Sequence, residues 1–126
     1  MGQLIEIHQP QKFFTLEEAQ TLLPIVKRMT EGAVREVEAM TTQLNYIPQG
    51  EKRKEVEKQV ELSFQFWVEK MEKIGCSCKG MWLVDFDSGE GYYCWHYPEE
   101  KIEYFHGYFD GYQGRIKLHT QNNEPI

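Results

Sequence analysis

Apolar and small side chains recur along the first part of the chain as Leu16, Ala19, Leu23, Val26, Thr30, Ala33, Val37, Met40, Leu44 and Ile47. The steps alternate between three and four residues, the period of a helix with one seam turned toward a partner. Thr15 followed by Glu18 is a capping-box pattern, in which each side chain accepts the other residue's backbone N–H, so the helix is expected to start there. Pro24 falls inside the pattern, where it removes a backbone hydrogen bond and crowds the preceding turn; a kink or a break is expected near residues 20 to 24. Pro48-Gln49-Gly50 ends the element. A second helix, from about Glu51 to Ile74, carries Val56, Val60, Phe64, Trp67, Met71 and Ile74 at helical spacing, and Gly75 is placed as its left-handed C-terminal cap. At 1.5 Å per residue the two would be roughly 50 and 35 Å long.

Beyond Gly75 the period changes to two. MWLVDF (81 to 86) and GYYCWHY (91 to 97), separated by Asp87-Ser88-Gly89-Glu90, read as a β-hairpin. Pro98-Glu99-Glu100 is the next turn, and IEYFH (102 to 106) the third strand of an antiparallel meander. Strand alternation puts Tyr92, Cys94 and His96 on one face and Tyr93, Trp95 and Tyr97 on the other. With bulk on both faces, the sheet is either sandwiched between the helices and a partner or lines a pocket. HGYFDGYQGR (106 to 115) reads as a loop, Ile116 to His119 as a short edge strand, and Leu4 to His8 as another.

The expected fold class is therefore α+β: a long N-terminal helical hairpin, its first helix kinked near Pro24, followed by a small antiparallel β-meander. A chain of 126 residues holds one core rather than two. The single domain divides into an N-terminal arm or short strand (1–13), the helical hairpin (14–75), an aromatic-rich β module (76–119) and a tail (120–126). Two helices alone leave much of their apolar stripes wet. The cover comes either from the β module or from a second copy, and pairing two hairpins into an antiparallel four-helix bundle is the simplest symmetric solution. A homodimer is expected.

Eleven of the seventeen aromatic residues fall between Trp82 and Tyr112, so function is to be sought there. Of the net charge of −6, the first 74 residues contribute 10 basic and 12 acidic side chains and the remainder 4 and 8. The aromatic segment is the more acidic part, which repels phosphate backbones and argues against nucleic acid. Lys52-Arg53-Lys54 sits among Glu51, Glu55 and Glu57 and reads as the solvated start of a helix. Three cysteines and an opening segment with neither a basic nor an apolar region point to the cytoplasm, and no window approaches the length of a membrane span.

Candidate chemistry is sparse. Cys76-Ser77-Cys78 with Cys94 and His96 could supply four metal ligands, but the spacing departs from the usual C-x2-C pairs and small buried thiols are common core filler. His96, His106 and Asp110 form a second set, suited to zinc, iron or manganese; against it, Asp110 before Gly111 has the look of a turn residue. Asp85, a carboxylate between Val84 and Phe86, needs a partner, and Arg115 is the fork-shaped one available. Nucleophile-elbow, phosphate-loop and zinc-protease patterns do not occur.

At FTLEEAQTLLP (14 to 24), LVDFDSGEGYYCW (83 to 95) and IEYFHGYFDGYQGRIKL (102 to 118) the chain resembles the small bacterial family known as domain of unknown function 2203. The resemblance runs from about Phe14 to Leu118, and its motifs stand in the same order. Matching positions are Phe14, Thr15, Leu16, Pro24, Asp85, Phe86, Cys94, Trp95, His106, Gly111, Gly114 and Arg115. Cys76 and Cys78 lie outside the pattern, which weakens the thiolate site, and Tyr112 stands where such proteins often have Phe. The resemblance implies no established activity.

The resulting expectation is a non-catalytic binding or interaction protein without a cofactor. It would act as a dimer and meet a protein or small-molecule partner through Asp85, Tyr92, Trp95, His106, Tyr108, Asp110 and Arg115. The alternative is a metal-binding protein or metal-dependent enzyme built on His96, His106 and Asp110, with Asp85 as acid or base and Arg115 as an anion clamp.

Overall fold

The first helix starts where its capping box stands. Thr15 Oγ1 accepts the Glu18 N–H at 3.0 Å and Glu18 Oε1 accepts the Thr15 N–H at 2.9 Å. Helix α1 then spans Leu16–Leu44 in the computed structural model, which describes residues 12–118. The helix passes through Pro24 without a break. Proline deprives the Gln20 carbonyl of its helical donor, a cost of about 3 kcal/mol, and the burial of Leu23 and Val26 on either side opposes it.

Helix α2 (Glu51–Lys73) returns antiparallel after a short connection. Arg53 is not part of a solvated basic patch, because its Nη1 donates to the Leu44 carbonyl at 2.7 Å and the Ile47 carbonyl at 2.8 Å, satisfying acceptors at the end of α1. The end of α2 is a Schellman motif: the Gly75 N–H reaches the Glu72 carbonyl, the Cys76 N–H reaches Met71, and Gly75 takes a φ of +98°.

Five strands follow as an antiparallel meander in sequence order, β1 (Ser77–Gly80), β2 (Leu83–Asp87), β3 (Tyr92–His96), β4 (Tyr104–His106) and β5 (Ile116–Lys117). β1 carries no β-branched or aromatic residue, so its strand state comes from pairing with β2 rather than from propensity. Met81 and Trp82, expected in a strand, instead form the β1–β2 turn. Trp82 has a φ of +60°, held by edge-on packing of its indole against Phe64 at 5.4 Å and Trp67 at 5.0 Å. The edge strand expected at 116 to 119 is observed as Ile116–Lys117. Leu4 to His8, His119 and the tail 120–126 lie outside the described residues.

One sheet face, with Val84, Phe86 and Trp95, packs on the hairpin in a cluster with Leu16, Ala19, Leu23, Val26, Trp67 and Met71. Within it the Trp67 indole N–H donates to Thr30 Oγ1 at 2.9 Å, so the polar atom of each is satisfied where both are buried. The Gln20 amide exchanges two hydrogen bonds with the Ile102 backbone, docking the β3–β4 connection on α1. The sheet covers the first half of the helical seam. Farther out, Met40 and Leu44 of α1 and Val56 and Val60 of α2 are only half-buried.

Candidate functional site

The opposite face of the sheet is polar. Antiparallel register aligns Asp85 with Cys94 and Tyr104, and Asp87 with Tyr92 and His106. Paired residues share a face, so two carboxylates, a thiol and an imidazole converge there. The segment from Gly107 to Arg115 lies beyond β4 and is tied to this face. Its sharp return needs small residues: a Cβ on Gly107 would stand 2.5 Å from Asp110 Oδ2, and one on Gly114 would stand 2.7 Å from Asp110 Cβ.

At the centre, His106 Nε2 lies 3.0 Å from Asp85 Oδ1, with the two residues exposed by only 3% and 1%. His106 Nδ1 lies 2.9 Å from the Gly107 carbonyl. A carbonyl only accepts, so Nδ1 carries a hydrogen. The Nε2–Asp85 contact then requires a second proton, on the imidazole or on the carboxyl, between two atoms that would otherwise oppose lone pairs. Asp85 Oδ2 is buried and has no N–H or O–H donor. Cys94 is adjacent: its Sγ, a carboxylate oxygen of Asp85 and a ring nitrogen of His106 all lie within 4.8 Å of one another. Burial raises the Cys94 thiol well above its ordinary value, the Asp85 carboxylate adds to this, and the Arg115 guanidinium opposes it. Because both ring nitrogens of His106 are engaged, the imidazole has no free lone pair to take the Cys94 proton; the trio is not arranged as a thiol nucleophile and its base.

The ion pair expected between Asp85 and Arg115 does not form. Arg115 emerges after the 3-10 turn Tyr112–Gly114 and reaches the β3–β4 turn, where its Nη1 contacts Glu99 Oε1 at 3.2 Å and Oε2 at 3.0 Å. Its guanidinium lies between the rings of Tyr104 and Tyr112, 3.9 and 4.2 Å from their centroids. Glu99 also accepts the His96 N–H at 2.8 Å.

The other expected site residues are dispersed. Asp110 Oδ2 accepts the Gly107 N–H at 3.1 Å, as a turn residue does, and the His96 ring packs against Tyr112 at 5.3 Å. The set His96, His106 and Asp110 is therefore not brought together as a ligand group; among the described residues that grouping falls to Asp85, Cys94 and His106. Trp95 points to the opposite face, into the core, and its indole donates to the Glu99 carbonyl at 2.7 Å. Tyr92 packs against His106 and Tyr108, under the Lys79 ammonium. The Tyr108 hydroxyl donates to Asp87 Oδ1 at 2.7 Å, and this hydrogen bond to a carboxylate pushes its pKa up to about 12. Cys76 and Cys78 are pushed up to about 12, chiefly by burial, and neither belongs to the ligand group. Asp87 and Glu99, read from sequence only as turn residues, prove to be anchors. For Asp87 a signal was present, since Asp85 and Asp87 share a strand face.

These features define a small α+β protein in which a helical hairpin backs a five-stranded meander with a buried acid, imidazole and thiol on its outer face. Residues 12–118 match the family described as "Uncharacterized conserved protein (DUF2203)", and the chain belongs to that family. Comparison with curated proteins gives no match, and comparison with solved structures gives none either.

Proposed function

We propose that the protein is a non-catalytic binding protein that engages a partner protein through the aromatic loop after β4. The observation that carries this reading is Phe109, fully exposed at 100% on a loop whose flanks are tied down. Gly107 is held through its carbonyl by His106 and through its N–H by Asp110; Tyr108 is held by Asp87, and Arg115 by Glu99 and two rings. A single exposed apolar side chain is ordinary. Here Tyr108 and Tyr112 are also exposed on the same segment, and Ile116 at the start of β5 directly after it. Aromatic groups on an ordered loop offer contact area with little conformational entropy left to lose, the usual character of interface anchors. The buried Asp85–His106 pair then serves as foundation for the loop, and its seclusion from solvent favours a non-catalytic role.

Self-association through the hairpin is part of the same reading. Leu62 and Phe66 are exposed on α2, at 46% and 59%, and Phe66 borders a groove that Gly32 and Ala33 of α1 also line. No helix among the described residues is long and apolar enough to cross a membrane. Three free thiols suit a reducing compartment such as the cytoplasm.

The test is quantitative capture from a cell extract with the wild-type chain and Phe109→Ser as paired baits, together with mass in solution by light scattering. The expected result is a partner recovered at least tenfold less by the variant, and a wild-type mass twice the 15.0 kDa of one chain. Equal recovery by both baits would overturn the loop as the binding surface, and a monomeric mass would remove the dimer.

A further inference from the structure

We infer that Asp85, Cys94 and His106 form a binding site for one divalent transition-metal ion of the zinc type. They supply oxygen, sulfur and nitrogen donors from three adjacent strands, with all three ligand atoms within 4.8 Å of one another. The residues are exposed by 1%, 0% and 3%. Donors around a tetrahedral zinc at about 2.0–2.3 Å stand roughly 3.3–3.8 Å apart. The 3.0 Å separation of Nε2 and Oδ1 therefore has to open slightly, and pairs that include Sγ to close by at most about 1.3 Å, within reach of side-chain torsions.

Three further observations point to a cation. The Nδ1–H of His106 is committed to the Gly107 carbonyl, which orients Nε2 as the metal-facing nitrogen in the manner of histidine ligands held by an outer acceptor. Nε2 faces Asp85 Oδ1 at 3.0 Å, a contact that is closed by a proton in the metal-free protein and could be bridged instead by a metal ion. Asp85 Oδ2, in a side chain almost wholly buried, has no N–H or O–H donor, and the neighbouring Cys94 thiol is only a weak donor to the carboxylate; a metal would supply a stronger partner for this costly buried oxygen.

The charge balance is favourable. A divalent ion with one carboxylate, one thiolate and one neutral imidazole sums to zero. The metal-free cluster, one proton shared by Asp85 and His106 and one on Cys94 Sγ, also sums to zero. Binding thus exchanges one metal ion for two protons and leaves the buried net charge unchanged, avoiding the penalty of an uncompensated interior charge. The sulfur donor disfavours magnesium and calcium, and the mixed set suits zinc. Three protein donors leave one position of a tetrahedral ion for water or another ligand.

The experiment uses the full chain, stripped with a chelator under reducing conditions and titrated with cobalt(II) and then zinc(II). The expected result is saturation at one equivalent with a near-ultraviolet thiolate-to-cobalt band and the visible bands of a tetrahedral ion. Cys94→Ser abolishes the thiolate band, while the double variant Cys76→Ser/Cys78→Ser keeps it. Loss of an outer partner costs 10–100-fold in affinity, so loss of the ligand in His106→Gln should weaken zinc binding by more than about 100-fold. If Cys94→Ser does not fold, the double variant decides alone, since any remaining thiolate band must come from Cys94. The inference is overturned if no thiolate band appears, or if the band is lost in the double variant.

Discussion

Asp85 shows how one residue can be costly alone and stabilising in context. Its carboxylate sits in the middle of β2, where burial penalises the charge, and His106 supplies the compensating contact at 3.0 Å. Removing one member of a buried pair strands the other, at about 3–5 kcal/mol. His106→Ala should therefore lower unfolding stability by about that much, measured by denaturant titration in the presence of a chelator. Asp85→Asn should cost far less, about 1 kcal/mol, because the new amide can donate to the Nε2 lone pair of a neutral imidazole. Equal losses for the two variants would mean that the proton between them does not hold the pair together. The sequence marked Asp85 as needing a partner. It did not identify His106, because Arg115 is the stronger cation by type and only the strand register decides which of the two stands beside the carboxylate.

At the scale of elements, the helices were legible from local chemistry. The Thr15–Glu18 capping box and the Gly75 C-terminal turn are short-range hydrogen-bond patterns, and both occur as expected. The junction between helices rests on a subtler pair. Thr30 holds a small-residue position of the seam, and it is also the acceptor for the buried Trp67 indole. Thr30→Val keeps the volume and removes the acceptor, leaving a buried N–H unsatisfied; the expected loss is about 1–3 kcal/mol in unfolding stability. A change below about 0.5 kcal/mol would show that the indole finds another acceptor. The Gly107–Arg115 segment was recognisable as a loop from its glycines. Its fixed conformation was not, because its anchors, Asp87 at the end of β2 and Glu99 in the β3–β4 turn, are distant in sequence.

For the molecule as a whole, the hairpin and sheet together bury three thiols to different degrees, and this has a consequence at alkaline pH. Cys76 and Cys78 move from an ordinary value of 9.0 to about 12, with burial the main cause. A thiol whose pKa is raised by folding contributes stability in full below its unfolded value and loses it as pH rises through the folded value. Stability should fall between pH 9 and about 12, with Tyr108, raised from 10.0 to about 12, adding to the upper part. Denaturation midpoints across that range should decline less steeply in Cys76→Ala/Cys78→Ala than in the wild type; parallel profiles would show that these thiols do not govern the slope. The sequence by itself determined the helical hairpin, its start and stop, the meander and the alternation of its faces. Each follows from interactions between residues close along the chain or from a simple period. Only the tertiary structure decided that Trp95 is core, that Arg115 pairs with Glu99, and that Asp85, Cys94 and His106 converge. Those outcomes depend on the register between β2, β3 and β4 and on the path of the loop beyond them. A shift of one residue would have sent the same side chains to the opposite face.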